Sequence, residues 1–280
     1  LLWPDTFNNH FYPETLHAAV EVLEAAGFQV LLPPRPLCCG RPLYDFGMLD
    51  LARRLLDQIL DALRPEIRAG VPLVGLEPSC VAVFRDELIN LLPDDEDARR
   101  LSQQSYLLSE FLEQQAPDVT WPRLERKAVV HVHCHHKSLS GTAALQRTLD
   151  RLGLDWTLLD DSCCGLAGAF GYERGDHYTV SIKAGERVLL PAVRAAAPET
   201  VIIADGFSCR EQIAQTTRRR ALHPAQVLQM ALRAGTEGVP GITPERFAPT
   251  VVAKPGVGTA MLGTVLGAGA AWLWARGRQG

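Results

Sequence analysis

Seven cysteines carry the chemical interest of this 280-residue chain, at positions 38, 39, 80, 134, 163, 164 and 209. Four of them form adjacent pairs followed by glycine, Cys38-Cys39-Gly40 and Cys163-Cys164-Gly165. Vicinal cysteines close a disulfide only with strain, and an odd total argues against a simple disulfide framework. Reduced thiols in a cytoplasmic setting are the expectation, and clustered thiols there bind metal or react. Cys134, Cys163, Cys164 and Cys209 offer four thiolates, a soft donor set that suits zinc or an iron–sulfur cluster. An adjacent pair reaches two irons of a cluster more readily than one small tetrahedral ion, which favours iron–sulfur. Cys38, Cys39 and Cys80 offer only three, with Asp5 and His10 as candidate fourth ligands that would suit zinc or an altered cluster.

Residues around the second cysteine pair fit a bulky cofactor. Gly165, Gly168 and Gly171 let backbone approach it and point amides at it. Hydrogen bonds of that kind raise a cluster's reduction potential. His131, His133, His135 and His136 surround Cys134. His133 and His135 are read as contacts to the cofactor, and protonatable groups there could couple proton to electron transfer.

These residues need elements to hold them, and the chain supplies the same elements twice. Cys38-Cys39-Gly40 recurs as Cys163-Cys164-Gly165, Cys80 as Cys209 and Gly27 as Gly153, in the same order and at nearly constant spacing. Two copies of one unit follow from this. In copy one, helical spacing runs from Pro13 to Ala26 and stops at Gly27. An apolar strand is expected over 28–32, a long amphipathic helix over 48–67 and a buried strand over 71–76. Copy two predicts strands over 128–133, 155–159 and 200–204, with helices over 142–152 and 177–196. The fold class is therefore α/β, two tandem repeats of a parallel-sheet unit, with sites at the carboxyl ends of the strands. The boundaries are 1–120 and 121–239, with a polar stretch over 93–100 and a helix over 105–115 between the copies. A linker over 240–256 and an apolar tail over 257–280 follow.

Bulk composition narrows the class. The chain is 47% hydrophobic and 21% charged, with a net charge of −4. That is globular, and it gives no basic field for nucleic acid. No Gly-x-Gly-x-x-Gly follows a strand, so flavin or nicotinamide is expected on a partner. Residues 257–275 are nearly free of charge and end with Trp272, Trp274, Arg276 and Arg278. They are just long enough to span a bilayer, so attachment to the inner face of a membrane is one reading of the tail. A tail docked on protein is the other.

The repeated Cys-Cys-Gly loops resemble the cysteine-rich domain found twice in one subunit of the heterodisulfide reductases. It also occurs in the iron–sulfur subunits of glycolate oxidase, lactate-utilisation enzymes and anaerobic glycerol-3-phosphate dehydrogenase. The resemblance covers roughly residues 1–232. It is specific in Cys163-Cys164-Gly165-Leu166-Ala167-Gly168-Ala169-Phe170-Gly171 and in Cys209-Arg210-Glu211-Gln212-Ile213. His133-Cys134-His135-His136-Lys137-Ser138-Leu139 and Trp3-Pro4-Asp5-Thr6-Phe7 also resemble the C-terminal part of large FAD-linked oxidases that act as D-2-hydroxyacid dehydrogenases. A start without Met agrees with the tail of such a chain. The family pattern is a Cys, then Cys-Cys-Gly, then Cys-x-x-Cys. Gly206 and Glu77 stand where the first Cys of Cys-x-x-Cys belongs, and copy one lacks the leading Cys.

The resemblance implies an iron–sulfur domain, of 4Fe-4S type, that takes electrons from an FAD-containing dehydrogenase domain or subunit oxidising a 2-hydroxy acid. It would pass them to a quinone or another carrier. A zinc-stabilised scaffold and a heterodisulfide-reductase-like thiol redox subunit are the alternatives.

Overall fold

A computed structural model describes residues 1–161, 163–234 and 244–247. The first half runs β1 (Leu2–Trp3), α1 (Thr6–Phe11), α2 (Pro13–Ala25), α3 (Arg41–Asp45), α4 (Leu49–Arg68), β2 (Leu73–Gly75), α5 (Pro78–Ala82), α6 (Leu88–Leu91), α7 (Glu96–Gln104), β3 (Ser105–Leu107) and α8 (Leu108–Gln115). The second half runs β4 (Lys127–His131), α9 (Cys134–Leu139), α10 (Ala143–Arg151), β5 (Asp155–Leu158), α11 (Asp176–Gly185), α12 (Leu189–Ala195), β6 (Val201–Ala204), α13 (Phe207–Thr216) and α14 (Pro224–Ala234). Pro13 opens α2, and Gly27 just beyond its end takes φ +88°, a left-handed stop. Gly153 does the same after α10 at φ +69°, so two of the repeated landmarks mark matching helix ends.

The strands form two three-stranded parallel sheets, ordered β1-β2-β3 and β5-β4-β6. The α/β architecture in two units is thus as the sequence indicates. The sheets match in their central pair of strands. β1 pairs with β2 as β4 pairs with β6. β5 lies on the free side of β4, and in the first sheet the Leu2 amide donates to Leu31 O at 2.9 Å on the corresponding side. Where the first sheet has β3, the second has a single bridge between Ile203 and Leu222.

Three local readings are corrected. Residues 28–32 form no strand: Leu31 and Leu32 are exposed, and Pro33-Pro34 remove the donors that would extend a ladder. Ser105–Leu107 is strand, not helix, because Ser105 and Leu107 alternate inward in register with Leu73 and Gly75. The helix after it begins where Glu110 turns back to accept the Leu107 amide at 2.9 Å. The polar stretch over 93–100, for which no element is expected, leads into α7, capped by the Asp95 carboxylate on the Ala98 amide. The long helix over 177–196 is two helices, interrupted after Gly185 and just before Pro191.

Core residues lie in three layers. Between the sheets, Val22, Leu23, Phe111, Leu149 and Leu228 pack with Leu2 and Val74 of the first sheet and with Val130, Val201 and Ile203 of the second. This shared core joins the two halves. α4 buries Leu56, Ile59, Leu60 and Leu63 on the outer face of the first sheet, and Leu189, Leu190 and Val193 of α12 do so on the second. No helix among the described residues is long and apolar enough to cross a membrane. The tail at 257–275, and the linker apart from a short turn at Pro244–Phe247, lie outside the described residues.

Candidate metal centre

Each strand of the second sheet delivers part of one thiol cluster. After β4, His133 caps α9 through Nδ1, which accepts the His135 amide at 3.2 Å, and Cys134 opens the helix. After β5 come Asp161 and the Cys163-Cys164 pair. After β6 come Asp205, Gly206 and Cys209 in the first turn of α13. The thiols interact in sequence, Cys134 with Cys163, Cys163 with Cys164 and Cys164 with Cys209. All seven cysteines are free.

Charge partners make this cluster ready for a cation. His131 Nε2 lies 3.1 Å from Cys209 Sγ. Its Nδ1 is bonded to the Asp161 carboxylate, which also takes Lys137 Nζ at 2.6 Å. Burial opposes a charge on His131, but the Cys209 thiolate and Asp161 outweigh it and lift its pKa to about 10. Cys209 is held well below the ordinary thiol range by the Cys164 thiol and by His131. Cys163 is also lowered, by donors from Cys134 and Cys164 and by the Gly165 amide. Cys134 and Cys164, the donors, are raised in turn. Beside them, Asp205 is fully buried, yet His136 and the His133 amide keep it ionised.

The cluster floors a cleft of about 670 Å³ lined by residues from both halves. Cys134, Cys163, Cys164 and Cys209 line it, with His133 and His135. Phe7, Phe46, Phe170 and Phe207 supply apolar walls. His133, Cys134 and His135 bring ligating atoms within 4.8 Å of one another. Gly168 lines the cleft with open space at its α-carbon, and Ala167 beside it takes φ 44°, a strained conformation for a residue with a side chain. Gly165 and Gly171 instead face α11, where a Cβ would overlap the Ser181 carbonyl oxygen and the Ser181 hydroxyl respectively. Their small size serves helix packing.

The first half gathers its thiols differently. Cys39 and Cys80 sit with sulfurs 2.9 Å apart among Trp3, Leu56 and Phe84, and Cys38 touches Cys39. The position matching Cys134 is Thr6, whose hydroxyl touches Cys38. Asp5 is engaged in capping α1, accepting the Asn8 amide at 2.9 Å and Asn8 Nδ2 at 2.7 Å. His10 is exposed on α1. The Cys39 contact and burial raise the Cys38 thiol. Cys39 and Cys80 are also raised: each receives a hydrogen bond that lowers it, but for Cys39 the Cys80 contact and burial together prevail, and for Cys80 burial together with the charges of Asp5 and Glu77 and the Cys38 thiol.

A model of the CCG cysteine-rich domain matches residues 6–85. Lactate utilization protein A of Geobacillus kaustophilus is 31% identical over 174 residues, covering 59% of this chain and 71% of that protein. The chain belongs to the CCG cysteine-rich family. One subunit of the anaerobic glycerol-3-phosphate dehydrogenase of Escherichia coli is 29% identical over 231 residues, 81% of this chain. D-2-hydroxyglutarate dehydrogenase of Pseudomonas putida is 28% identical over 236 residues, 83% of this chain. The chain spans 57% of the first of these two relatives and 22% of the second.

Sequence reasoning missed Asp161, Lys137, Asp205 and the reach of Glu77. The available signal was position: Asp161 and Asp205 are acidic residues just past strand ends, where sites collect.

Proposed function

We propose that this chain is the iron–sulfur electron-transfer component of a flavin-linked dehydrogenase that oxidises a 2-hydroxy acid. Cys134, Cys163, Cys164 and Cys209 would hold a 4Fe-4S cluster, and such a cluster supplies one-electron transfer. The observation that carries the reading is the set of four interacting thiols lining one cleft, with Cys163 and Cys209 favoured as thiolates, because the thiolate is the form that binds metal. The donor set fits: soft ligands arrive from three strand ends, and the cleft leaves room beyond them. His131 steadies Cys209, and Asp161 and Lys137 fix the ring of His131. The apolar walls suit a flat carrier such as a quinone, which would take the electrons onward. The flavin belongs to a partner domain or subunit, in keeping with the dehydrogenase names of the relatives. Iron and acid-labile sulfide in anaerobically purified protein, with a paramagnetic signal on reduction, are the expected result. Zinc without sulfide would reject the proposal in favour of a metal-stabilised scaffold.

A further inference from the structure

Glu77 and Gly206 occupy matching places, three residues before Cys80 and Cys209, and each caps the helix that carries its cysteine. Gly206 has no side chain with which to close α13, and a Cβ there would overlap the imidazole of His133. The first amide of α13 is satisfied from the other half of the molecule: Phe207 N–H donates to Glu77 Oε2 at 2.7 Å. The second carboxylate oxygen accepts Ser79 Oγ at 2.8 Å, which fixes the side chain. Glu77 is only 2% exposed, and it lines the same cleft as the four cysteines of the second half. Phe207 is held a second time by the first half, stacked on Phe7 with ring centres 4.6 Å apart. Cys209 lies two residues further along the same helical turn.

We propose that Glu77, contributed by the first repeat, is a positioning residue of the thiol centre in the second, fixing Cys209 through the Phe207 amide. The proposal rests on the iron–sulfur reading for its redox consequences, and it gives the first repeat a part in a centre to which it contributes no thiol. The amide of Glu77→Gln keeps an oxygen able to accept from Phe207, whereas Glu77→Ala removes the acceptor. In the reconstituted full chain, E77A is expected to weaken iron retention against a chelator roughly 10- to 100-fold and to change the paramagnetic spectrum and midpoint potential. E77Q should stay close to the parent in all three. In metal-free protein, Cys209 of E77A should react several-fold faster with iodoacetamide, mapped by mass spectrometry, and Cys209 of E77Q should not. An E77A protein with the parent's spectrum, potential and Cys209 reactivity overturns the proposal, even if it melts earlier. A parent protein that binds no iron rejects the functional reading alone, because the alkylation comparison still judges Glu77.

Discussion

The two halves place cysteines on the same scaffold but surround them with different chemistry. In each, a strand leads to a capped helix, a cysteine pair follows a loop, and a further cysteine sits in the first turn after a second strand. The last residue of β1 is Trp3, packed edge-on against Phe84 at 5.0 Å. The last residue of β4 is His131, bonded to Asp161 and facing Cys209. One helix start carries Thr6, the other Cys134. The first set of thiols is consequently pushed up by burial and mutual contact, while two of the second set are pulled down. Proximity of sulfurs is common to both; a cation beside them is not. A buried thiolate is costly without a compensating charge or donor; at Cys209 the Cys164 thiol supplies the largest part and His131 adds to it.

Cysteine replacement should break the symmetry outright. Cys209→Ser is expected to abolish iron and sulfide binding after anaerobic reconstitution, and Cys80→Ser to leave it near the parent level. Equal loss in both variants would erase the distinction drawn between the halves.

A smaller effect comes from making the second half resemble the first. His131→Phe should weaken metal binding roughly 10- to 100-fold, in line with other residues that orient ligands. In metal-free protein it should also move the alkylation profile of Cys209 to higher pH. A profile that does not move would show that His131 is not what holds the thiolate.

The smallest effect tests the seam between the halves. His223 is fully buried, with Nε2 donating to Leu76 O at 3.0 Å and Nδ1 accepting the Ala225 amide at 3.0 Å. Burial first, then Arg210, lowers its pKa to about 3. The unfolded chain takes up a proton below about pH 6.5 while the folded chain does not. Stability is therefore complete well above pH 6.5 and falls with acid, by about 1 kcal/mol between pH 6.5 and 5.5 from this group. Urea unfolding at the two pH values should show the drop, and His223→Gln should flatten it. An unchanged pH dependence in that variant would assign the acid sensitivity elsewhere.

Local signals in the sequence carried much of the fold. Helix ends at Gly27 and Gly153, the apolar face of α4 and the buried runs that become β2, β4 and β6 are all visible as periodicity and punctuation. Misreadings fell where a pairing partner overrides propensity. Ser105–Leu107 is strand because β2 offers it an edge, and 28–32 is not because prolines end its ladder.

The repeated cysteines, their order and their place after strands were likewise legible, since residue type and spacing are properties of the chain itself. The tertiary structure alone decided which thiols are shifted toward the thiolate, that Thr6 stands opposite Cys38, and that Glu77 serves a helix 130 positions away. Those outcomes depend on contacts between distant segments and on burial. Burial sets the electrostatic cost of a charge, and for a single cysteine or carboxylate neither its burial nor its distant contacts leave a local signature in the sequence.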